Sequence, residues 1–409
     1  MNLVERDVLK ILRRHLSSPD ILVLHGARQV GKTSVMRILQ DELIQAKQPT
    51  HFIDLEDMRL LNLLNTGPER LFQHLDESGL LNRGRLYLFV DEIQYLNNPS
   101  NLLKIMRDHF AEKIKLVVSG SSSFDIKSKF KNSLAGRTVD SELLPLSFRE
   151  FLRFKNDPVD LDRPIHSELL VRKLKELFIE FVLYGGYPRV VLEKEIAAKE
   201  TYLAQVISTY IRKDVRDLTG IKDVDKFNKL LEALAAQSGQ LINTSELAGT
   251  VGLSRATIDH YLFLLAATYV IRLVRPFSRN TRSELTKMPK AFFLDTGVAQ
   301  LLWLRSFQKT VLGSMLENTV YCELLKNHSS AEIRYWRTQD GKEIDFILRI
   351  GEALVPVEVK SQTRKLNMMA LRYFCQHYET SQAYCVSMEK SGAPADFLKY
   401  KYPWENFPE

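Results

Sequence analysis

The sequence has little cysteine and no long hydrophobic run. Its 409 residues include three cysteines, which are scattered along the chain and form no CxxC pair. An odd and dispersed set of thiols argues against a disulfide framework and favours a reducing compartment. The first residues, MNLVERDVLKILRRHL, are charged and amphipathic without a signal-peptide core, and runs such as LYLFV are too short to cross a bilayer. We therefore expect a cytoplasmic protein without a membrane partner.

Metal-ligand spacing and internal repeats are also lacking. The nine histidines show no zinc-site spacing, so we expect no structural zinc, and no repeat or low-complexity tract stands out. The length exceeds one ordinary domain and predicts about two to three. The net charge of +7 fits either a polyanionic partner or a merely basic protein, and charge alone leaves both open.

Short apolar segments alternate with helical ones in the first part of the chain. ILVLH, HFIDL, RLYLFV and IKLVVSG indicate buried strands at 21–25, 51–55, 85–90 and 114–120. This alternation predicts an α/β fold with a parallel sheet that is covered on both faces. Strand-like segments stop around Pro145, and residues after 147 look mostly helical up to 235, with a break at a Gly-Gly-Tyr-Pro turn.

The stretch GARQVGKTS has the spacing of a phosphate-binding loop, and a strand before it and a helix after it complete the expected context. Backbone N–H groups of such a loop can surround phosphates, and the following helix points its positive dipole end at them. Lys32 would reach the β- and γ-phosphates, and the Thr33 hydroxyl would bind Mg²⁺. The expected ATP-binding residues are Gly26, Ala27, Arg28, Gln29, Val30, Gly31, Lys32, Thr33 and Ser34.

Two further segments add polar groups to this predicted ATP site. LYLFVDE is an apolar strand that ends in Asp91 and Glu92. Asp91 can hold Mg²⁺ through water, and Glu92 can orient or deprotonate the attacking water. In LVVSGSSS, either Ser119 or Ser121 can face the γ-phosphate, although a structural serine turn suits each one as well.

A loop arginine raises the question of a second subunit. Arg137, in SLAGRT, follows a basic loop that carries Lys127, Lys129 and Lys131. An arginine there can reach the γ-phosphate of a neighbouring subunit and stabilise the transition state, which predicts a homo-oligomer such as a hexameric ring. A surface or DNA-facing arginine is the open alternative.

Residues 242–265, INTSELAGTVGLSRATIDHYLFLL, have the spacing of a helix-turn-helix. Ser245 and Ser254 are suited to cap the two helices, and Gly252 supplies the turn. The segment that follows is like the strands and wing of a winged helix, and its basic stripe from Arg272 to Lys290 suits contact with the sugar-phosphate backbone of DNA. Winged helices also bind proteins, so that role stays open. The expected DNA-binding residues are Arg255, Thr257, Arg275, Arg279 and Arg282.

The C-terminal segment holds a second cluster of carboxylates. Asp345 lies on the middle of three predicted strands, and Glu358 and Lys360 share one face of the next. Asp, twelve residues, then Glu-x-Lys is the pattern of restriction-endonuclease-like nucleases, in which two carboxylates hold a divalent ion and a lysine positions water. Glu317, on a preceding helix, could add a metal ligand. A DNA-binding scaffold without activity stays open.

Taken in order, GARQVGKT, VDEIQ, SGSSS, LAGR, PLSFREFL and YGGYPR resemble bacterial and archaeal ATPases of the AAA superfamily with a conserved C-terminal domain of unclear function. The resemblance implies a P-loop core at 1–150, a helical lid at 151–235, a winged helix at 236–300 and a restriction-endonuclease-like domain at 301–409. We expect Mg²⁺-dependent ATP hydrolysis coupled to DNA remodelling or translocation, with nuclease activity open. The alternatives are an ATP-controlled oligomeric switch with a protein-binding winged helix, and a nuclease gated by its ATPase.

Overall fold

The computed structural model falls into two compact units. It describes residues 3–82, 84–120, 134, 136–209, 223–278, 288–328, 330–390 and 395–407. Unit 1 contains residues 1–144 and 267–269, and unit 2 contains residues 145–266 and 270–409. The predicted boundaries at 235 and 300 both fall inside unit 2, and the four-part division stays a prediction. Within the described ranges, no helix is long and apolar enough to cross a membrane.

Unit 1 is built on a five-stranded parallel sheet, which confirms the predicted α/β class. The strand order is β2-β3-β4-β1-β5, and every neighbouring pair is parallel. Because the carboxyl ends of parallel strands meet at one edge, the segments that follow β1, β3 and β4 lie at the same edge. The strands are β1 (Ile21–His25), β2 (Thr50–Asp54), β3 (Leu86–Asp91), β4 (Ile114–Gly120) and β5 (Thr138–Glu142).

Helices cover this sheet and begin at residues suited to helix starts. Asp57 and Asn98 accept hydrogen bonds from the first turns of two helices, and Pro68 and Pro99 occupy first helical positions. The apolar side chains of β1 to β4 and of three of these helices, at 58–65, 68–77 and 99–110, form one buried core. The helices are α1 (Val8–Arg14), α2 (Lys32–Gln45), α3 (Met58–Asn65), α4 (Pro68–Glu77) and α5 (Pro99–Phe110).

Strand β5 was not among the expected strands. Its sequence, TVDSE, is polar, and only Ser141 is buried in it. An edge strand pairs on one side only, here with β1, and buries little of its surface. Its hydropathy pattern therefore carries no strand signal.

The first part of unit 2 is helical, as predicted for 147–235. Gly185 ends the second helix with φ +79°, and a Cβ on Gly186 would stand 2.6 Å from the carbonyl oxygen of Leu146. The Gly-Gly pair is therefore required by its backbone conformation and close packing. The helices are α6 (Phe148–Phe154), α7 (Glu168–Tyr184), α8 (Pro188–Leu192), α9 (Ile196–Val206) and α10 (Val224–Ala236).

A helix pair and a short antiparallel ribbon follow. The pair is α11 (Thr244–Val251) and α12 (Arg255–Ala267), and the ribbon is β6 (Ile271–Val274) with β7 (Lys290–Phe293). The order of two helices followed by two strands is the one expected from the sequence, and the winged helix-turn-helix assignment stays a prediction. Helix α13 (Thr296–Leu304) comes next.

The last part of unit 2 is a mixed sheet between two helices. Its order is β12-β11-β10-β9-β8, antiparallel from β8 to β10 and parallel from β10 to β12. The predicted succession of helix, three strands, helix and strand is present, with β12 in addition. The elements are α14 (Gly313–Asn327), β8 (Glu332–Arg337), β9 (Glu343–Ile350), β10 (Ala353–Val359), α15 (Met368–Tyr378), β11 (Ala383–Val386) and β12 (Leu398–Lys401).

Candidate functional sites

The loop between β1 and α2 depends on two glycines. A Cβ on Gly26 would stand 2.1 Å from the carbonyl oxygen of Leu143, so no larger residue fits there. Gly31 has φ +100° and immediately precedes α2. Both positions let the backbone turn tightly into the helix, as an anion-binding loop requires.

Lys32 folds back onto this loop. Its Nζ donates hydrogen bonds to the carbonyl oxygens of Gly26 (3.1 Å) and Ala27 (3.0 Å). The side chain is almost fully buried, and burial lowers the pKa of Lys32 below its usual value. The ammonium group therefore lies against the loop, bonded to two carbonyls, and the charges of Glu92 and Asp91 also act on it.

Asp91 connects three segments of unit 1. The Thr33 hydroxyl donates a 2.6 Å hydrogen bond to Asp91 Oδ2, and the Ser119 hydroxyl donates to Oδ1. The N–H of Glu92 donates to Ser119 Oγ at 3.2 Å. The structure thus brings the start of α2 together with the ends of β3 and β4. Ser121, the other predicted serine, lies outside the described residues.

Glu92 has a left-handed backbone, with φ +57°. This conformation is unusual for a residue other than glycine and is concentrated at functional sites. The Gln94 side-chain amide donates a hydrogen bond to Glu92 Oε2. Gln94 orients the carboxylate and was not among the predicted site residues.

Arg137 lies at the amino-terminal end of β1, whereas the phosphate loop follows the carboxyl-terminal end. The Arg137 carbonyl accepts a hydrogen bond from the N–H of Ile21, the first residue of β1. At roughly 3.3 Å per residue, the two ends of β1 are about 13 Å apart. The guanidinium pairs with Asp108, with Nε 2.9 Å from Oδ1. Arg137 therefore does not complete the loop of its own chain, and its role in a neighbouring subunit stays a prediction.

In unit 2, Lys360 bridges the two predicted carboxylates. Its Nζ lies 2.6 Å from Glu358 Oε1 and 3.5 Å from Asp345 Oδ2. Burial, and then the charge of Asp345, raise the pKa of Glu358 to about 7. Burial alone would lower the pKa of Lys360, but the adjacent carboxylates outweigh it and hold that pKa above its usual value.

A β-bulge in the pairing of β8 and β9 lies beside Asp345. Strand β8 pairs Trp336 with Ile344 and Arg334 with Ile347, so two steps on β8 match three on β9. The extra residue lies in the segment that holds Asp345. Bulges of this kind redirect side chains and are frequent beside active sites.

Glu317 and Lys290 extend the cluster. Lys290 Nζ lies 3.4 Å from Glu317 Oε1 and 2.7 Å from Glu343 Oε1. Burial, and then the charge of Asp345, raise the pKa of Glu317 to about 8. The expectation that Lys290 belongs to a solvent-facing basic stripe is wrong, because the side chain is buried among these carboxylates.

The cluster alternates carboxylates with lysines. Among the described residues, no three His, Cys, Asp or Glu side chains are grouped so that they could hold a metal ion. Each lysine instead bridges two carboxylates. Metal binding by Asp345, Glu358 and Glu317 stays a prediction.

The first helix of the predicted helix-turn-helix is capped by a different residue from the predicted one. Asn243, not Ser245, caps α11, because its side chain accepts hydrogen bonds from the first-turn N–H groups. Ser254 accepts from the N–H of Thr257, and Gly252 ends α11 with φ +70°, as expected. These residues fix the turn that brings α12 across α11.

Among the predicted DNA contacts, Arg255 is exposed at the start of α12. Its Nε lies 3.8 Å from Asp259 Oδ2. Thr257 and Arg275 are half-buried. Arg279 and Arg282 lie outside the described residues. Arg255 therefore lies at the exposed start of the second helix, and its contact with DNA stays a prediction.

Three family models match successive parts of the chain. Residues 18–152 match an AAA domain. This part of the chain is therefore similar to the AAA domains of AAA-superfamily ATPases. Residues 175–309 match a domain of unknown function (DUF8612), and residues 312–404 match a domain of unknown function (DUF4143).

Sequence likeness over most of the chain extends to uncharacterized proteins of bacteria and archaea. A Haemophilus influenzae protein is 28% identical over 83% of this chain and 82% of its own length. A Methanocaldococcus jannaschii protein is 26% identical over 85% of this chain and 76% of its own length. A Mycobacterium tuberculosis protein is 24% identical over 88% of this chain and 74% of its own length. The likeness therefore includes unit 2 as well as the AAA domain.

Solved structures match loosely. Cdc6p from Pyrobaculum aerophilum has a TM-score of 0.30 at 15% identity, covering 76% of this chain and 92% of that chain. AMPPCP-bound DnaA from Aquifex aeolicus has a TM-score of 0.28 at 15% identity, covering 62% and 85%. At this level the matches say nothing about function.

Proposed function

We propose that the chain is a Mg²⁺-dependent ATPase whose turnover is coupled to DNA binding and to remodelling or translocation of DNA. The observation that carries the proposal is the hydrogen-bonded set of Thr33, Asp91 and Ser119 beneath the loop. It gathers a hydroxyl, a buried carboxylate and a second hydroxyl at the edge where parallel sheets bind ligands.

Each residue of the site has a distinct task in this proposal. Lys32 exchanges its two loop carbonyls for phosphate oxygens, and the loop N–H groups from Gly26 to Ser34 surround the phosphates. Thr33 would bind Mg²⁺ directly and Asp91 would hold it through water, and the ion would supply positive charge to the phosphate oxygens. Glu92 orients the attacking water, and Gln94 positions the Glu92 carboxylate.

The coupling to DNA is proposed from α11 and α12. Arg255 and Thr257 at the start of α12, with Arg275 beyond β6, would contact phosphates, and Arg279 and Arg282 extend the same basic segment of the sequence. Phosphate contacts of this kind give affinity that falls steeply with salt. A homo-oligomer, such as a hexameric ring, follows if Arg137 acts on the neighbouring subunit.

The test measures ATP hydrolysis with and without duplex and branched DNA, at low and high salt. We expect DNA to stimulate the wild type at low salt, Lys32→Ala to be inactive, and Arg255→Ala to hydrolyse ATP without stimulation. If DNA does not change the rate of ATP hydrolysis and the protein binds no DNA at any salt concentration, the proposed coupling is wrong. Nucleotide-dependent assembly together with that result would instead favour the oligomeric switch.

A second function, metal-dependent cleavage of DNA, is favoured by one observation. Asp345 and Glu358 are buried beside a bulge, and the half-buried Lys360 forms ion pairs with both. The two carboxylates would hold a divalent ion, and Lys360 would position water or balance charge. The test incubates wild type and Lys360→Ala with Mn²⁺ and several DNA forms. Cutting by the wild type alone supports the site, and cutting that persists in the variant removes it.

A further inference from the structure

A buried arginine from the start of the chain contacts the phosphate loop. Arg6 lies just before α1, and only 4% of its surface is exposed. Its Nη1 donates a 2.7 Å hydrogen bond to the carbonyl oxygen of Val30, and its Nη2 donates a 2.7 Å bond to that of Leu144. Val30 is in the loop, and Leu144 is the last residue before the chain leaves unit 1. One guanidinium therefore joins the loop to that exit point.

The bond to Val30 sets the direction of a loop N–H group. A phosphate loop uses its N–H groups to hold anions, so its carbonyl groups must turn away and find donors elsewhere. The carbonyl of Val30 and the N–H of Gly31 belong to one planar trans peptide and point in opposite directions. Because Arg6 holds the carbonyl, the Gly31 N–H points away from Arg6.

Arg6 and Lys32 divide the loop carbonyls between them. Lys32 holds those of Gly26 and Ala27, and it must release them to reach a phosphate. Arg6 holds that of Val30 through a buried guanidinium. Because this is a different carbonyl, Lys32 can move to a phosphate without breaking the bond between Arg6 and Val30. The Arg6 guanidinium also satisfies two carbonyls in one rigid fork and always carries its charge.

We propose that Arg6 is a positioning residue of the nucleotide site, which presets the loop for the β- and γ-phosphates and couples the loop to Leu144. This inference rests on the proposed ATP site. A purely structural Arg6 would lower the melting temperature of its variants but leave the ATP affinity of the folded protein unchanged. The proposal requires a loss of affinity in protein that is still folded.

The experiment measures dissociation constants for ATP and ADP in wild type, Arg6→Gln and Arg6→Lys. Arg14→Gln, on the exposed side of α1, is the matched control. Each protein is assayed at a temperature where melting curves show it to be folded. We expect Arg6→Gln to weaken ATP binding on the order of tenfold, because a hydrogen bond from a charged group is lost. Arg6→Lys should recover part of this loss, and Arg14→Gln should bind as the wild type does.

The coupling to Leu144 has its own readout. A non-hydrolysable ATP analogue should slow hydrogen exchange in residues 143–147 of the wild type, and this response should shrink in Arg6→Lys. If folded Arg6→Gln binds ATP as tightly as the wild type does, the proposal is overturned. If Arg6→Gln does not fold, wild-type affinity in Arg6→Lys overturns the proposal instead. A folded wild type that binds neither nucleotide would instead refute the ATP site itself.

Discussion

Thr33 Oγ1 and Asp91 Oδ2 lie 2.6 Å apart, although 58 positions separate the residues in the chain. The parallel sheet brings them together, because α2 begins and β3 ends at the same edge. Ser119 approaches the other oxygen of the same carboxylate from β4. Three separate local patterns thus meet at one buried acid, which makes Asp91 the centre of the candidate site.

Glu92→Gln should bind ATP with nearly unchanged affinity and hydrolyse it about a hundredfold or more slowly. The substitution keeps the size of the side chain but removes the group that orients water, a contribution of about 10²–10⁴. Nucleotide affinity and single-turnover hydrolysis are measured side by side. Glu112→Gln, an exposed position in the same unit, should leave both unchanged. Equal hydrolysis rates for Glu92→Gln and the wild type would remove Glu92 from the site.

Arg137→Ala should abolish turnover, and adding Glu92→Gln protein should restore part of it. In a mixed oligomer, a subunit with intact Glu92 receives Arg137 from its neighbour, so two inactive proteins complement each other. Asp108→Asn is the control, because it removes the ion-pair partner and keeps the arginine. The measurement is ATPase rate against mixing ratio. Absence of complementation in mixtures that are shown to co-assemble would exclude action in trans.

The local patterns explain what could be predicted. The loop, its flanking strand and helix, and the strand ending in Asp91 follow from spacing over a few residues, and the structure places the predicted elements close to their expected positions. Ser119 and Ser121 could not be separated, since the choice depends on where β4 ends relative to β3. Strand β5 escaped notice because an edge strand needs no apolar pattern. Gln94 carried no signal beyond being polar.

The charged residues of unit 2 show a different limit. Counting charges grouped Lys290 with a basic surface stripe, but its position at the start of β7 directs the side chain into the carboxylate cluster. The direction of one side chain on a short strand depends on pairing, which the sequence does not display. In the same way, Asn243 and Ser245 are both residue types that cap helices, and only the residue at which α11 begins decides which of them does so.

At about pH 9, where Glu317 is ionised in the folded chain, Lys290→Met should destabilise unit 2 by about 3–5 kcal/mol, because it leaves the carboxylates of Glu317 and Glu343 without their buried partner. The double variant Lys290→Met with Glu317→Gln should recover part of this loss. Urea unfolding followed by tryptophan fluorescence reports on unit 2 alone, since Trp303, Trp336 and Trp404 all belong to it. Lys342→Met, which removes an exposed ion pair with Asp340, should change stability by less than about 1 kcal/mol. Equal losses for the two lysines would contradict the buried cluster.

Unit 2 should become less stable as the pH rises from about 5 to 8. The pKa of Glu317 is raised from 4.5 to about 8 in the folded chain, and that of Glu358 from 4.5 to about 7. Between these limits the folded state therefore binds more protons than the unfolded state, and stability falls with increasing pH. The urea midpoint from tryptophan fluorescence is measured across this range. Glu317→Gln should flatten the upper part of the profile, from pH 7 to 8, while Glu379→Gln, at an exposed position after α15, should leave the profile unchanged. A midpoint that rises with pH in the wild type would show that these carboxylates are ionised when folded.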